Sequence, residues 1–244
     1  MAETTPGYIV CTHPRSGSTV FCQMLASTGK LGNPDEYFSQ RHLQRAGVTA
    51  ASADGLPEYV TNFQRQTASP NGVAASKMFW FDLEPLIRIG VADRFASYRF
   101  VFLQRKDKLA QAISIRRAWL TGITRSDRGT SSAPETYDYA DIKLRLTRLL
   151  NAEANWRAFF DAKTLKPVDC VYEDIMQDPQ AAVDRIAQSL GLTDRALIAP
   201  DQVTLRIQRD GISKAWHDRF LAEACATDPE VWALFQRRDV APPA

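Results

Sequence analysis

The sequence predicts an α/β fold in three layers: a central, mainly parallel sheet flanked by helices. Three observations predict it. Short apolar runs alternate with longer amphipathic stretches. Strands separated by helices pair in parallel, because a parallel crossover needs about a helix's length of chain. The composition is 45% hydrophobic and 24% charged over 244 residues, which suits an ordinary globular chain with a sizeable core. The expectation is one domain, 1–244, with 121–137 as an exposed loop.

Tyr8 to Thr12 reads as a buried strand. Ser18 to Ser27 reads as a helix, with Phe21, Met24, Leu25 and Thr28 at helical spacing and Thr28-Gly29 as its stop. LGNPDEYF, residues 31–38, is a turn-rich loop carrying two carboxylates. Residues 40–69 hold one or two helices. Gly72 to Met78 is a strand started by Asn71-Gly72. Asp82 caps a helix to Ile89. Arg99 to Gln104 is a strand, and Asp107 caps the next helix, to about Leu120. Residues 121–136 are polar, with Gly, Ser and Pro, a loop long enough to be functional. Asp138 to Asp161 is the clearest helix, with Ile142, Leu146, Leu149, Leu150, Trp156 and Phe160 on one face. Pro167 to Tyr172 is a strand, and Pro179 to Leu190 a helix stopped by Gly191. The tail holds a basic loop, QRDGISK, then short helices around Trp216 and Trp232. Trp80, Trp119, Trp156 and Phe160 read first as core.

The net charge of +2 argues against a nucleic-acid partner or a membrane-surface binder. The four cysteines, Cys11, Cys22, Cys170 and Cys225, form no CxxC pair and no metal-ligand spacing with a His. Buried, reduced thiols of a cytoplasmic protein are expected, with no metal. MAETTPGY lacks the basic and apolar regions of a signal peptide, and no apolar run has the length of an integral membrane segment.

HPRSGST, residues 13–19, lies between the first strand and the first helix. A strand, a tight Ser/Gly turn and a helix start make an anion site, because helix N-terminal N–H groups point outward and the dipole favours negative charge. Gly17 allows close backbone approach. Ser16, Ser18 and Thr19 bring hydroxyl donors, and Arg15 brings a planar, permanently charged fork. The stretch lacks the Gly-Lys pair of GxxxxGK[ST], so the fold is P-loop-like without a nucleoside triphosphatase signature. A second anion site is expected in LQRKDKLAQAIS, from Arg105 at a strand end and Ser114 nine residues on. In open α/β sheets ligands bind beyond the C-terminal strand ends, so the two face one crevice.

These residues resemble a known family. YIVCTHPRSGSTVFCQMLASTG followed by NPDEYF is similar to the bacterial trehalose 2-sulfotransferase family. The likeness continues in NGVAASKMFW, VFLQRKDKLAQAISIRRAW, EANWRAFF, VDCVYEDI and QRDGISKAWHDRF. It implies that the donor is 3′-phosphoadenosine-5′-phosphosulfate and that Arg15 to Thr19 hold the sulfate and 5′-phosphate. Arg105 and Ser114 match the positions that hold the 3′-phosphate. Gln208 and Arg209 lie in the place of a loop closing over the nucleotide. Glu36 matches the proposed general base, with His13 as its rival. The tail departs from the family's local order, and residues 41–70 and 121–137 match poorly, so the resemblance implies a carbohydrate or glycolipid acceptor without naming trehalose. It also implies a homodimer.

Sulfuryl transfer to a hydroxyl needs charge stabilisation on the sulfuryl oxygens, which suits Arg15 and the loop N–H groups, and removal of a proton, which suits a carboxylate within hydrogen-bond reach. Lys77, near a strand end, assists in this reading, and Trp80 and Phe79 line the acceptor pocket. Two other readings compete: a nucleotide-dependent phosphotransferase with a degenerate loop, and a non-catalytic nucleotide-binding relative.

Overall fold

The computed structural model describes residues 7–48, 55–88, 95, 97–123, 134–204 and 211–236. Four strands form one sheet: β1 (Gly7–Thr12), β2 (Ala74–Phe79), β3 (Arg99–Gln104) and β4 (Val168–Val171), in the order β2-β1-β3-β4. All three pairings are parallel, with Thr12 opposite Phe79, Cys11 opposite Phe102 and Leu103 opposite Cys170. The chain passes from β1 to β2 on one side and then to β3 on the other. The β1/β3 boundary is therefore the topological switch point, where loops diverge and leave a crevice.

Period-two alternation assigns the faces. Tyr8, Val10, Ala75, Val101, Leu103 and Cys170 pack against α1 (Ser18–Ser27) and α8 (Pro179–Ser189). Ile9, Cys11, Met78, Phe100 and Phe102 pack on the other face, against α3 (Leu56–Thr67), α4 (Trp80–Arg88) and Trp156, Phe159 and Phe160 of α6 (Tyr139–Ala162). Both faces of β1 are covered, which is why its run is apolar throughout. The short helices α2 (Gln40–Arg45) and α7 (Tyr172–Ile175) complete this part.

The chain divides into two compact units, Met1–Lys106 with Asn151–Leu205, and Asp107–Leu150 with Arg206–Ala244. The second unit contains α5 (Lys108–Thr121), α9 (Gly211–Thr227) and α10 (Pro229–Gln236). Its core joins Leu109, Ala112, Ile113, Ile142, Leu146, Trp216 and Phe220. Asp107 caps α5 as its sequence position predicts, accepting from the Ala110 amide at 2.8 Å.

Three elements differ from the sequence reading. α4 starts at Trp80 with no loop after β2, so Asp82 is in its first turn and reaches back to the Phe79 amide at 3.4 Å instead of standing before the helix. α9 is a long helix, because Trp216, Phe220 and Ala224 recur every four residues and all three are buried. Trp119 is not core: it is 70% exposed, with the Arg145 guanidinium 5.7 Å from its ring. Among the described residues no helix is long and apolar enough to cross a membrane.

Candidate functional site

The loop after β1 is built from its buried end upward. Thr12 Oγ1 donates to the Leu103 carbonyl at 2.9 Å and meets Ser16 Oγ at 2.8 Å. The Ser16 hydroxyl, fully buried, thus braces the turn against β3. Arg15 takes a φ of +61° and Gly17 a φ of +85°, so two nearby left-handed residues curl the chain into a cup before α1. Gly17 is the N-cap of α1 and brings no side-chain cap, and the first turn has no acidic residue. A helix start without a side-chain cap leaves its first N–H groups open to an anion.

Gly17 answers to a neighbour as well as to its φ. A Cβ there would lie 2.2 Å from the Tyr172 ring. The sequence reading assigns the bare Cα to ligand approach, whereas in the structure that space is filled by Tyr172. The same ring carries the Arg105 guanidinium 5.6 Å from its centre. Arg105 Nη1 donates to the Arg15 carbonyl at 3.2 Å, and its Nε lies 3.9 Å from Glu173 Oε1. Glu173 Oε2 in turn accepts from the Lys106 amide at 2.9 Å. The arginine after β3 is therefore held against the loop after β1.

The end of β2 supplies the third part. Lys77 is 3% exposed, and its Nζ lies 2.9 Å from Glu36 Oε1 and 3.9 Å from Asp35 Oδ1. The loop 31–38 is pinned beside it, because the Asp35 carbonyl accepts from the Lys77 amide at 2.9 Å and the Ser76 hydroxyl at 3.1 Å. Burial works against the Lys77 charge, but the Glu36 and Asp35 carboxylates beside it outweigh it and hold the ammonium above its ordinary range. Burial pushes the Cys22 thiol up to about 12, which leaves it an inert packing group. Glu36 stays 38% exposed at the rim. His13 is 2% exposed and meets the Phe102 ring edge-on at 6.4 Å.

The Stf0 sulphotransferase family matches residues 7–88 and 82–223. The chain belongs to this family. Two relatives span nearly all of it: the trehalose 2-sulfotransferases of Mycobacterium tuberculosis (strain ATCC 35801 / TMC 107 / Erdman) and Mycolicibacterium smegmatis. Each is 25% identical over 265 residues, covering 92% of this chain and 97% of the relative. The crystal structure of a sulfotransferase from Alicyclobacillus acidocaldarius aligns with a TM-score of 0.51 at 12% identity, over 94% of this chain and 99% of that one. That likeness supports the fold. The family and both relatives support sulfuryl transfer as the activity.

The remaining expected residues of this sulfotransferase are dispersed. Ser18 is buried and Thr19 half-buried in the first turn of α1. Ser114 is half-buried on α5, in the second unit. Gln208 and Arg209 lie outside the described residues. Trp80 turns to the opposite sheet face from Lys77 and meets Trp156 edge-on at 5.4 Å. It lines a groove of about 380 Å³ with Glu84, Ile87, Asn155, Ala158 and Phe159, which includes neither Glu36 nor the β1 loop. Among the described residues no group of three or more His, Cys, Asp or Glu side chains is arranged to hold a metal.

Three residues of this region are given no site role by the sequence. Tyr172 and Glu173 follow β4 directly, so the rule that strand C-termini carry the site was the available signal. Asp82 is 6% exposed, and burial raises its carboxyl to about 7. The Phe79 and Gln40 amides and the Lys77 charge pull against that shift, and Glu36 adds to it.

Proposed function

We propose that this sulfotransferase moves a sulfuryl group from 3′-phosphoadenosine-5′-phosphosulfate to a hydroxyl of a carbohydrate or glycolipid acceptor. The observation that carries the reading is the hydrogen bond from Arg105 to the Arg15 carbonyl, which brings the loop after β1 and the end of β3 together at the switch point of the sheet. A donor with phosphates at both 3′ and 5′ positions needs two such elements side by side.

In this reading Arg15, the N–H groups of residues 16–19 and the hydroxyls of Ser18 and Thr19 hold the 5′-phosphosulfate. Arg105 holds the 3′-phosphate, with Ser114, Gln208 and Arg209 assigned to the nucleotide by family resemblance. The acceptor oxygen forms its bond to sulfur as the bond from sulfur to the 5′-phosphate oxygen breaks, and adenosine 3′,5′-bisphosphate leaves. Glu36 takes the acceptor proton. Arg15 and the loop amides stabilise charge on the sulfuryl oxygens. Lys77 pairs with the Glu36 carboxylate and fixes its direction. Glu36 is favoured over His13 because it is open at the rim while His13 is buried under the loop.

Trehalose is the first acceptor to test, given the names of the two relatives. A single catalytic domain, a homodimer and a cytoplasmic site of action complete the proposal, and the buried free thiols of Cys11, Cys22 and Cys170 suit a reducing compartment.

The test is thermal stabilisation by adenosine 3′,5′-bisphosphate, compared with AMP and with ATP plus Mg²⁺. A ligand at 100 times its dissociation constant stabilises by about 2.7 kcal/mol. Selective stabilisation by the bisphosphate is expected. Stabilisation by ATP with Mg²⁺ alone would turn the reading to phosphoryl transfer, and no shift with any nucleotide would overturn it.

A further inference from the structure

Phe81 is 58% exposed, one residue beyond Trp80 in the first turn of α4. Single exposed apolar residues are ordinary on a protein surface. What sets Phe81 apart is what lies beside it. Its ring sits 5.3 Å from the Phe79 ring, tilted by 40°, and the Lys77 ammonium sits 5.6 Å from the centre of Phe79. That ammonium is the one paired with Glu36. Alternation across the β2–α4 junction thus splits the aromatic run 79–81. Phe81 packs on Phe79, which faces the Lys77 ammonium paired with Glu36, and Trp80 goes with Trp156.

We propose that Phe81, backed by Phe79, is the shelf on which a sugar ring of the acceptor stacks while one of its hydroxyls meets Glu36. This rests on the sulfotransferase reading above and adds a specificity residue to it. The chemistry of the rim selects the occupant. The C–H face of a sugar ring is apolar and covers an aromatic face, while its edge is all hydroxyl. Asp35, 63% exposed, stands next to Glu36, and its Oδ1 lies 3.9 Å from the Lys77 ammonium and accepts from the Glu36 amide at 2.8 Å. A purely apolar acceptor lying on Phe81 would strip water from these carboxylates and return no hydrogen bond, which is costly. A sugar covers the ring and returns hydroxyl donors to both acids. A planar aryl acceptor would satisfy the shelf alone.

The experiment compares wild type, Phe81→Ala and Phe81→Tyr with trehalose, methyl glucoside, a small aliphatic alcohol and an aryl alcohol as acceptors. Adenosine 3′,5′-bisphosphate affinity is measured in parallel. Expected is a KM for the sugars about tenfold higher in Phe81→Ala, equivalent to about 1.4 kcal/mol. Phe81→Tyr restores it, kcat changes little, and bisphosphate affinity is unchanged. An unchanged sugar KM in Phe81→Ala would overturn the shelf and leave the sulfotransferase reading intact. So would an altered oligomeric state with unchanged KM, which would make Phe81 a contact between copies. Turnover confined to aliphatic or aryl alcohols would overturn the sugar as occupant. Failure of the wild type to bind the bisphosphate would instead strike the parent proposal.

Discussion

Lys77 pairs with Glu36 at 2.9 Å through its side chain, and its amide donates to the carbonyl of the preceding loop residue, Asp35, also at 2.9 Å. The backbone bond fixes the loop against the strand, and the ion pair fixes the carboxylate within the loop. A carboxylate held in this way loses little freedom when an acceptor hydroxyl arrives, and this is the geometric part of general-base catalysis. Because Lys77 is buried, the pair is also structural, and removing one partner of a buried pair leaves the other charge uncompensated.

Glu36→Gln is therefore the informative variant, since the amide oxygen can still accept from Lys77. Expected is unchanged bisphosphate affinity with turnover lower by roughly 10²- to 10⁴-fold, the usual worth of a positioned acid or base. Single-turnover sulfation with labelled donor reads it directly. Wild-type turnover would remove Glu36 from the proton-transfer step.

Arg105 is packed on Tyr172 and bonded to the loop that it helps to shape. In the proposed role, Arg105→Ala would remove a charge-assisted contact to the 3′-phosphate, which is worth about 1.5–3 kcal/mol, or roughly ten- to a hundredfold in affinity. Titration calorimetry with the bisphosphate and with AMP separates the roles. The loss should be large for the 3′-phosphorylated ligand and small for AMP. Equal losses would mean that Arg105 acts only by bracing the loop.

Much of this was legible because the signals are local. α1 begins at Ser18 and ends at Ser27, where the turn and the Thr28-Gly29 stop put its ends, and β3 runs from Arg99 to Gln104 as its apolar run reads. The strand–turn–helix order was enough to bring HPRSGST and Arg105 to one crevice. What the residues could not announce is long-range. Lys77 and Glu36 are 41 residues apart, and nothing in either segment names the other. Trp119 reads as core by residue type, yet its place on α5 leaves it exposed beside Arg145. The helix around Trp216 reads as short, yet α9 runs from Gly211 to Thr227 with Trp216, Phe220 and Ala224 buried one turn apart.

Gly17 admits no side chain, for two independent reasons. Its φ of +85° is strained for any L-residue, and the Tyr172 ring stands 2.2 Å from where a Cβ would be. Gly17→Ala should destabilise by about 2 kcal/mol or more, since backbone strain and overpacking add. Chemical denaturation measures it. Tyr172→Ala in the same background should recover part of the loss by making room, leaving only the strain. No recovery would mean that the ring moves aside without cost.

Asp82 gives the fold a pH dependence whose sign follows from its environment. Burial lifts its folded pKa to about 7, against an ordinary value near 4 in the unfolded chain. Between those two values the folded state holds the extra proton, so unfolding free energy falls as pH rises from about 4 to about 7, and then levels off. The charged form costs stability at neutral pH that an amide would not. Asp82→Asn keeps an oxygen for the Phe79 amide and removes the charge. It should therefore stabilise the protein at pH 8 by roughly 1–3 kcal/mol and converge on wild type near pH 4. Denaturant melts of both proteins across that range check it. A variant less stable than wild type at pH 8 would show that the Asp82 carboxylate is held by its neighbours more strongly than burial opposes it.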